Sequence, residues 1–267
     1  NMDIPHGKTI GLVGESGSGK SVTALSIMQL LSQNAHSSGE ILWQNQNLLK
    51  CSEKEMRKIR GKELGLIFQN PLSALNPVFT VGNQLIETIQ HHHKTSKEEA
   101  RQSAIELLKK VNISDPEARL NQYPHQFSLG MCQRAMIAIT LAMSPKLLIA
   151  DEPSASLDVT VQAQIMRLLK DLKTEFNMSI LLISHDLGLI SENCDYIYVM
   201  YLGKIVEEGT PIQLFKSPQH PYTQALIEAI PKANPDEHKE RQLLKGDIPS
   251  PLNLPKGCRF HTRCPKV

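Results

Sequence analysis

Residues 14–21 have the sequence Gly-Glu-Ser-Gly-Ser-Gly-Lys-Ser and match the pattern G-x-x-x-x-G-K-S. An apolar run, Thr9–Val13, precedes this stretch and predicts a buried strand, while Ser21–Leu31 follows it and predicts a helix. A glycine-rich turn between a strand and a helix can fold its backbone N–H groups into a nest for phosphate oxygens. We call residues 14–21 the phosphate loop, because this context disfavours a chance Gly/Ser-rich turn.

All eight residues of the phosphate loop are predicted to help bind a phosphorylated ligand. They are Gly14, Glu15, Ser16, Gly17, Ser18, Gly19, Lys20 and Ser21. Lys20 supplies a positive charge to the outer phosphates, and the Ser21 hydroxyl is a ligand for Mg²⁺. The helix that follows adds the partial positive charge of its N-terminus. The loop therefore predicts a nucleotide site, although it fits kinases, GTPases and ATPases alike.

Composition excludes several classes of protein. The chain has 267 residues, enough for one large α/β domain or two smaller ones, with 40% hydrophobic and 21% charged residues. Its formal net charge is +2 without a long basic run, so nothing indicates nucleic acid as a partner. The longest uncharged apolar stretch, residues 135–143, is too short to span a membrane. Five scattered cysteines indicate no disulfide framework and favour a reducing cytoplasm.

Strand and helix patterns alternate along most of the chain. Further strands are predicted at Leu64–Phe68, Leu147–Ala150, Ile180–Ile183, and in a hairpin of Tyr196–Met200 with Ile205–Glu207. Helices are predicted at Glu53–Arg60, Val81–Ile89, Lys97–Val111, Gly130–Ala142, Val161–Leu172, and from Thr210-Pro211 onward. This alternation predicts an α/β fold with a mainly parallel sheet covered on both faces.

The same patterns divide the chain into parts. We predict a main domain over residues 1–230, interrupted by a helical insertion at about 71–143. A β-like segment near residues 41–47 indicates a small antiparallel β subdomain. Residues 231–267 form a polar, proline-rich C-terminal extension. A core of this kind with a phosphate loop resembles that of a P-loop NTPase (RecA-like), which is the fold class we predict, with these additions.

Two consecutive carboxylates follow the strand predicted at Leu147–Ala150. Asp151, at the carboxyl end of that strand, is positioned to hold Mg²⁺ through water. Glu152 could polarise a water for in-line attack on a γ-phosphate, a role worth about 10²–10⁴ in rate. The alternative is a solvated acidic turn, which the phosphate loop upstream makes less favourable.

Four further segments resemble motifs of ABC ATPases and occur in that family's order, from about Thr9 to Gly209. Residues 127–134, Phe-Ser-Leu-Gly-Met-Cys-Gln-Arg, resemble the signature LSGGQ or LSGGM followed by x-Q-R. Gln69, in Ile-Phe-Gln-Asn-Pro, resembles the Q-loop glutamine, and residues 156–158 resemble the D-loop. His185, in Ile-Ser-His-Asp, resembles the switch histidine.

The resemblance implies ATP and Mg²⁺ as ligands and assigns roles to these residues. Gln69 would reach Mg²⁺ or the attacking water, and His185 would hydrogen-bond the γ-phosphate. The alternative for each of the two is an ordinary solvent-exposed side chain. Ser128 and Gly130, at a predicted helix start, would receive a γ-phosphate, a role compatible with simple helix capping. Asp158 would lie at a subunit boundary or cap the next helix.

In the family, the signature of one subunit closes over ATP held by the phosphate loop of another. The resemblance therefore implies a head-to-tail dimer whose closure and opening drive two transmembrane permease subunits. The helical insertion and the groove beside Gln69 would bind those subunits. This arrangement would place the chain peripherally on the cytoplasmic face of a bacterial inner membrane.

The run His91–His93 lacks a ligand pattern and is interpreted as an exposed helix–loop segment.

Finer resemblance indicates the dipeptide, oligopeptide and nickel importer branch. It is carried by residues 69–77, 157–165, 220–226 and the cysteine-bearing ending 257–265. We expect a peptide importer that works with a separate extracytoplasmic binding protein. The alternatives are a nickel, glutathione or antimicrobial-peptide transporter and, less favoured, a non-transport ABC ATPase of DNA repair or translation. A GTPase is disfavoured because the sequence contains no N/T-K-x-D segment.

Leu129 departs from the family pattern, which has glycine there. We predict that leucine cannot adopt glycine-only backbone angles cheaply and that its side chain crowds an approaching phosphate. The site completed by this signature would then be weakened, which favours a heterodimer with two unequal sites.

Both ends of the chain also depart from the pattern. No aromatic residue for stacking on adenine lies within Asn1–Val13, so we expect sequence to be missing upstream and adenine affinity to be weakened. Cys258 and Cys264 resemble part of a tail that in some relatives holds an iron–sulfur cluster. Two thiolates cannot complete a four-cysteine site, so a reduced structural tail is the favoured interpretation.

Overall fold

The computed structural model describes residues 1–92, 95–230 and 246–267. The chain divides into two compact units, Asn1–Ala24 with Leu181–Val267, and Leu25–Ile180. We call these the first and the second unit. Of the predicted segments, His93 and residues 231–245 of the C-terminal extension lie outside the described residues.

Strands and helices alternate in the described chain. The strands are β1 Thr9–Val13, β2 Leu42–Trp43, β3 Gln46–Asn47, β4 Leu64–Ile67, β5 Leu147–Asp151, β6 Ser179–Ser184, β7 Tyr196–Tyr201 and β8 Lys204–Gly209. The helices are α1 Lys20–Ile27, α2 Glu53–Ile59, α3 Pro71–Ala74, α4 Val81–His92, α5 Lys97–Lys110, α6 Pro116–Arg119, α7 Leu129–Leu141, α8 Val159–Glu175, α9 Leu187–Asn193, α10 Pro211–Lys216 and α11 Pro221–Glu228. Short 3₁₀ helices lie at Leu48–Lys50, Pro124–Gln126 and His261–Arg263.

The first unit is organised around β1. Its strand order is β6-β1-β7-β8, in which β1 pairs in parallel with β7 and β7 pairs antiparallel with β8. All five residues of β1 are buried, as expected for a strand covered on both faces. Because β1 ends at Val13, the phosphate loop starts at the carboxyl edge of this sheet, where ligands bind in open α/β folds.

The second unit contains the parallel pair β4–β5, with β6 next to β5, and the separate antiparallel pair β2–β3. Of β6, Ser179 and Ile180 belong to this unit. Helix α8 buries Ile165, Leu168 and Leu172, and burying a side chain of this size contributes about 1.5–3 kcal/mol. The α/β class, the mostly parallel sheet, the antiparallel pair and the helical elements that the sequence predicts are therefore confirmed.

Most predicted elements match the structure within a few residues, and α1 differs most. The sequence predicts a helix to Leu31, but α1 ends at Ile27 because Gln29 has a left-handed backbone with φ +49°. The N–H of Leu30 then donates to the carbonyl of Leu25 at 2.8 Å, a contact that closes the helix end. Helix α10 begins as predicted, with Thr210 as its cap and Pro211 in its first turn.

Between residues 71 and 143, the described chain contains helices α3–α7 and no strand. Across residues 1–92, 95–230 and 246–267, no helix combines the length and apolar character needed to cross a bilayer.

Candidate functional site

The phosphate loop connects β1 to α1 and needs glycine at three positions. A Cβ atom on Gly14 would lie 2.2 Å from the carbonyl oxygen of Met200, far closer than van der Waals contact allows. Gly17 and Gly19 have φ values of +82° and +105°, which L side chains adopt only with strain. The loop therefore has the backbone that lets N–H groups surround a phosphate.

Lys20 is buried, with 5% of its surface exposed, although it is the first residue of α1. Its ammonium donates to the carbonyl oxygens of Gly14 at 2.7 Å and Glu15 at 3.0 Å. The hydroxyl of Ser18 is also buried and has no hydrogen-bond partner among the described residues. A buried cation, an unsatisfied buried hydroxyl and a helix N-terminus fit the binding of phosphate oxygens. Ser21 is exposed and could present its hydroxyl to Mg²⁺.

Glu15 of the phosphate loop is held by Tyr222 and Arg263, two residues that the sequence motifs did not select. The N–H of Glu15 donates to the hydroxyl of Tyr222 at 2.8 Å. The Glu15 carboxylate accepts two hydrogen bonds from the Arg263 guanidinium, at 2.6 and 3.2 Å. Both partners lie in segments noted for their family resemblance, 220–226 and 257–265, but neither segment indicates by itself a contact with the phosphate loop.

His185 also belongs to the first unit. It follows directly after β6, and its side chain is exposed. The next residue, Asp186, caps α9 by accepting from the N–H of Leu189 at 3.1 Å. The end of a buried strand and a capped helix thus fix the backbone on both sides of His185.

In the second unit, the structure brings Gln69 and Glu152 together. Gln69 follows β4, Glu152 follows β5, and these two strands are parallel neighbours. The Nε2 of Gln69 donates to the Glu152 carboxylate at 3.0 Å. Asp151 is the last residue of β5 and lies beside Glu152 in the chain. One edge of the pair β4–β5 therefore presents two carboxylates and an amide, a set suited to orienting water or Mg²⁺.

Glu152 has a left-handed backbone, with φ +47°. Such a conformation in a residue other than glycine costs about 1–3 kcal/mol and is found mainly at functional sites. The sequence pattern does not reveal this strain, because a strand followed by two acidic residues is compatible with ordinary backbone angles. This left-handed conformation sets the direction in which the Glu152 side chain leaves the end of β5.

The structure corrects one expectation about the signature segment. Ser128 caps α7 by accepting from the N–H of Met131 at 3.3 Å, and Leu129 is the first residue of that helix. Leu129 is not among the residues with positive φ, so the predicted backbone cost of leucine here is wrong: a helical position suits any L residue. Gly130 is in the helix, where an added Cβ would lie 3.1 Å from Val161.

Arg134 anchors the signature helix. Its guanidinium donates to the carbonyl of Val111 at 2.9 Å and to the side chain of Gln164 at 3.0 Å, and burial lowers its pKa. Helix α7 is thereby tied to the end of α5 and to α8. Asp158 is observed as the N-cap of α8, accepting from the N–H of Val161 at 3.0 Å. Its other predicted role, at a subunit boundary, stays a prediction.

Cys258 and Cys264 are free thiols, the first exposed and the second half-buried. Within the part of the chain that the structure describes, no three His, Cys, Asp or Glu side chains form a group that could hold a metal ion. The iron–sulfur cluster considered from the sequence therefore has no support here. His91 is exposed, in agreement with its interpretation as part of a surface segment.

Sequence comparison gives two family matches. Residues 1–155 match the family described as ABC transporter, and residues 206–267 match the oligopeptide/dipeptide transporter C-terminal region. A probable peptide ABC transporter ATP-binding protein of Sinorhizobium fredii is 48% identical over 99% of this chain and 80% of its own length. The oligopeptide transport ATP-binding protein AppD of Bacillus subtilis is 50% identical over 100% of this chain and 82% of its own length. A dipeptide transport ATP-binding protein, DppD of Haemophilus influenzae, is 47% identical, with 99% and 80% covered.

Solved structures give the same result for the fold. The chain is similar to cbiO1 of Clostridium perfringens, part of an ABC transporter complex, with a TM-score of 0.70 and 30% identity over 81% of this chain and 82% of the other. It is also similar to the ATP-binding cassette MJ0796 in a dimeric post-hydrolysis state with ADP and Pi. That match has a TM-score of 0.70 and 29% identity, covering 79% of this chain and 88% of the other.

Proposed function

Because the chain belongs to the ABC transporter family and is an ATPase of that family, we propose that it is the motor subunit of a membrane importer for di- or oligopeptides. The observation that carries the proposal is the oligopeptide/dipeptide C-terminal region at residues 206–267, joined to an ABC transporter match in one chain. Relatives named for peptide transport match nearly the whole chain, which supports the same proposal.

The proposed chemistry assigns a role to each site residue. The phosphate loop holds the triphosphate of ATP through its N–H groups and the charge of Lys20. Ser21, Asp151 and Gln69 are the proposed ligands of Mg²⁺, directly or through water. Glu152 acts as the general base for the attacking water, and Gln69 orients its carboxylate at 3.0 Å. His185 donates to the γ-phosphate.

We propose further that ATP closes a dimer of two ATPase subunits. Ser128 caps α7, and the free N–H groups of the first turn of this helix can receive a γ-phosphate held by the partner subunit. The dimeric state described for the cassette MJ0796 supports this arrangement. The side chain of Leu129 lies at the same helix start and would crowd the phosphate, so we favour a heterodimer in which the site completed by this signature is the weaker one.

Leu129→Gly tests this asymmetry in the complete transporter. It should raise hydrolysis at the weak site by up to about tenfold, because a misplacement of about 1 Å can cost as much as 10²-fold. Single phosphate-loop variants of the two subunits should also differ, with Lys20→Ala the more damaging. Ile212→Gly, near the start of the capped helix α10, is the matched control, since Ile212 is 67% exposed. Equal losses from the two loop variants, together with no effect of Leu129→Gly, would refute the unequal sites.

The second unit offers an apolar cavity for the proposed permease contact. Its volume is about 310 Å³. Its apolar lining includes Met28, Leu66, Phe68, Leu75, Met136 and Met143. The segment from Phe68 to Phe79, which starts beside Gln69, also exposes large apolar side chains, among them Leu72 at 52%. We propose that a cytoplasmic segment of a permease subunit packs here. This contact would link the permease to Gln69, the residue that donates a hydrogen bond to Glu152.

Leu72→Glu should weaken assembly with the permeases by about tenfold or more, because burial of a leucine contributes about 1.5–3 kcal/mol and a charge opposes it. The fraction of permease recovered with the tagged chain from detergent measures this loss. Leu252→Glu, at a site 90% exposed in the first unit, is the control and should assemble normally. Normal recovery of permease with Leu72→Glu would place the contact elsewhere.

The cargo is tested on the complete system. The chain would be expressed with its permeases and extracytoplasmic binding protein, and the ligand retained by the binding protein identified by mass spectrometry. Di- or oligopeptides are the expected result. Nickel, glutathione or an antimicrobial peptide would replace the proposed cargo but keep the transporter. Co-purification with nucleic acid and without permeases would favour a role in DNA repair or translation.

The proposed location, peripheral on the cytoplasmic face of a bacterial inner membrane, follows from the proposed permease contact.

A further inference from the structure

The C-terminal segment of the first unit is bound to the phosphate loop through an ion pair. Arg263 donates two hydrogen bonds to the Glu15 carboxylate, at 2.6 and 3.2 Å. The Arg263 side chain is only 7% exposed and that of Glu15 is 30% exposed. A bidentate pair shielded from water in this way is stronger and more directional than a pair on the surface.

An aromatic cluster holds this segment in place. Phe260 is 1% exposed, and its ring centroid lies 5.1 Å from that of Tyr201 and 5.4 Å from that of Tyr222. The rings of Tyr201 and Tyr222 are themselves 4.8 Å apart at 62°. The Tyr201–Tyr222 and Tyr201–Phe260 pairs are edge-to-face, an arrangement that stabilises aromatic rings beyond the burial of their surface. Because Phe260 is packed in this cluster, Arg263, three residues later, is held in a fixed position.

The cluster also contacts the loop through hydrogen bonds. The Tyr222 hydroxyl accepts from the N–H of Glu15 at 2.8 Å, and burial raises the pKa of Tyr222, so this hydroxyl stays neutral. Arg259 donates to the carbonyl of Leu202, and the adjacent Gly203 donates its N–H to the carbonyl of Ser18 at 2.7 Å. Glu15 and Ser18, at two points of the loop, are thus linked to the same C-terminal segment.

The charge of Glu15 gives these contacts a functional consequence. A carboxylate in a loop that receives a triphosphate repels the ligand unless a cation neutralises it, and the repulsion is strong where water is excluded. Burial lowers the pKa of Arg263, but the hydrogen bonds and the charge of Glu15, together with the neighbouring Tyr201 side chain, outweigh this and raise the pKa overall, so the guanidinium remains charged. The pair is therefore electrically neutral.

We propose that Arg263 is a positioning residue of the nucleotide site, which neutralises Glu15 and fixes the phosphate loop for the binding of ATP. The C-terminal segment 259–263 then forms part of the nucleotide site as well as marking the transporter branch. This inference rests on the proposed role of residues 14–21 as the triphosphate-binding loop.

The test is a double-mutant cycle on the full chain, read out by titration with a fluorescent ATP analogue and by steady-state hydrolysis. Arg263→Gln should raise the Kd and the KM for ATP about tenfold and change kcat less than about twofold, because it exposes the Glu15 charge to the triphosphate. Adding Glu15→Gln to that variant should restore the Kd to within about threefold of the parent, since the repelling charge is gone. Arg263→Lys should lie in between, and Lys8→Ala, which breaks an exposed ion pair with Asp195 in the same unit, should have no effect.

Two results would overturn the inference. One is an unchanged Kd in Arg263→Gln and Arg263→Ala proteins with parental melting temperatures. The other is a loss of affinity that Glu15→Gln does not restore, which is what a merely structural contact would give. Failure of the proposed function is distinguishable, because in that case Lys20→Ala would bind ATP normally whatever residue stands at 263.

Discussion

Glu152→Gln is expected to lower ATP hydrolysis by about 10²–10⁴-fold while ATP binding is preserved, because the amide cannot accept the proton of the attacking water. The substitution is nearly isosteric. The glutamine oxygen can still accept the hydrogen bond from Gln69, and the left-handed backbone, φ +47°, is no more strained for Gln than for Glu. Hydrolysis would be measured by phosphate release in the assembled transporter, and ATP binding by titration.

The matched control is Glu175→Gln, which removes a carboxylate at the end of α8 that pairs with Lys110 on the surface. It should hydrolyse ATP at the parental rate. A Glu152→Gln protein that releases phosphate as fast as this control would remove Glu152 from the role of base. The edge of the pair β4–β5 would then need a different proton acceptor.

Lys20→Ala is expected to weaken ATP binding about a hundredfold, since a hydrogen bond to a charged group contributes about 1.5–3 kcal/mol and more than one is lost. The ammonium is buried and is the donor to the carbonyl oxygens of Gly14 and Glu15, so its removal also leaves the loop less well held. Titration with ATP and ADP measures the loss, which should be larger for ATP because the lysine serves the outer phosphates.

Lys54→Ala is the control for Lys20→Ala, because Lys54 is an exposed lysine of α2 in the second unit. It should bind ATP like the parent protein. Equal affinities of the two variants for ATP would show that the triphosphate is held by something other than the phosphate loop.

Much of the fold is predictable from the sequence because most strands of the larger sheet, β1 and β4–β7, are short, apolar and buried. Strand β1 occupies the predicted residues, Thr9–Val13, and α10 begins at the predicted cap. The end of α1 is not predictable in this way, because residues 28–31 continue the helical pattern while a left-handed Gln29 closes the helix. Backbone reversals at residues other than glycine depend on tertiary contacts that a local pattern does not contain.

Prediction of the site has the same limits. The motifs select Gln69 and Glu152 separately, and the structure adds the hydrogen bond between them and the strain at Glu152. At Leu129 the motif predicts a backbone cost that the structure does not show. The family has glycine at this position, but the position is helical and therefore suits any L residue. The contact of Arg263 with Glu15 spans 248 residues of sequence, so it could be found only after folding.

The central claim is that ATP held by the phosphate loop and cleaved with Glu152 as the base drives transport. The most direct test is ATP-dependent uptake of labelled peptide into vesicles that contain the complete transporter, with parent, Lys20→Ala or Glu152→Gln chains present in equal amounts. The claim predicts uptake by the parent and background levels with both variants, because Lys20→Ala binds ATP far more weakly than the parent and Glu152→Gln binds ATP but hydrolyses it far more slowly. Uptake at the parental rate with either variant would contradict it.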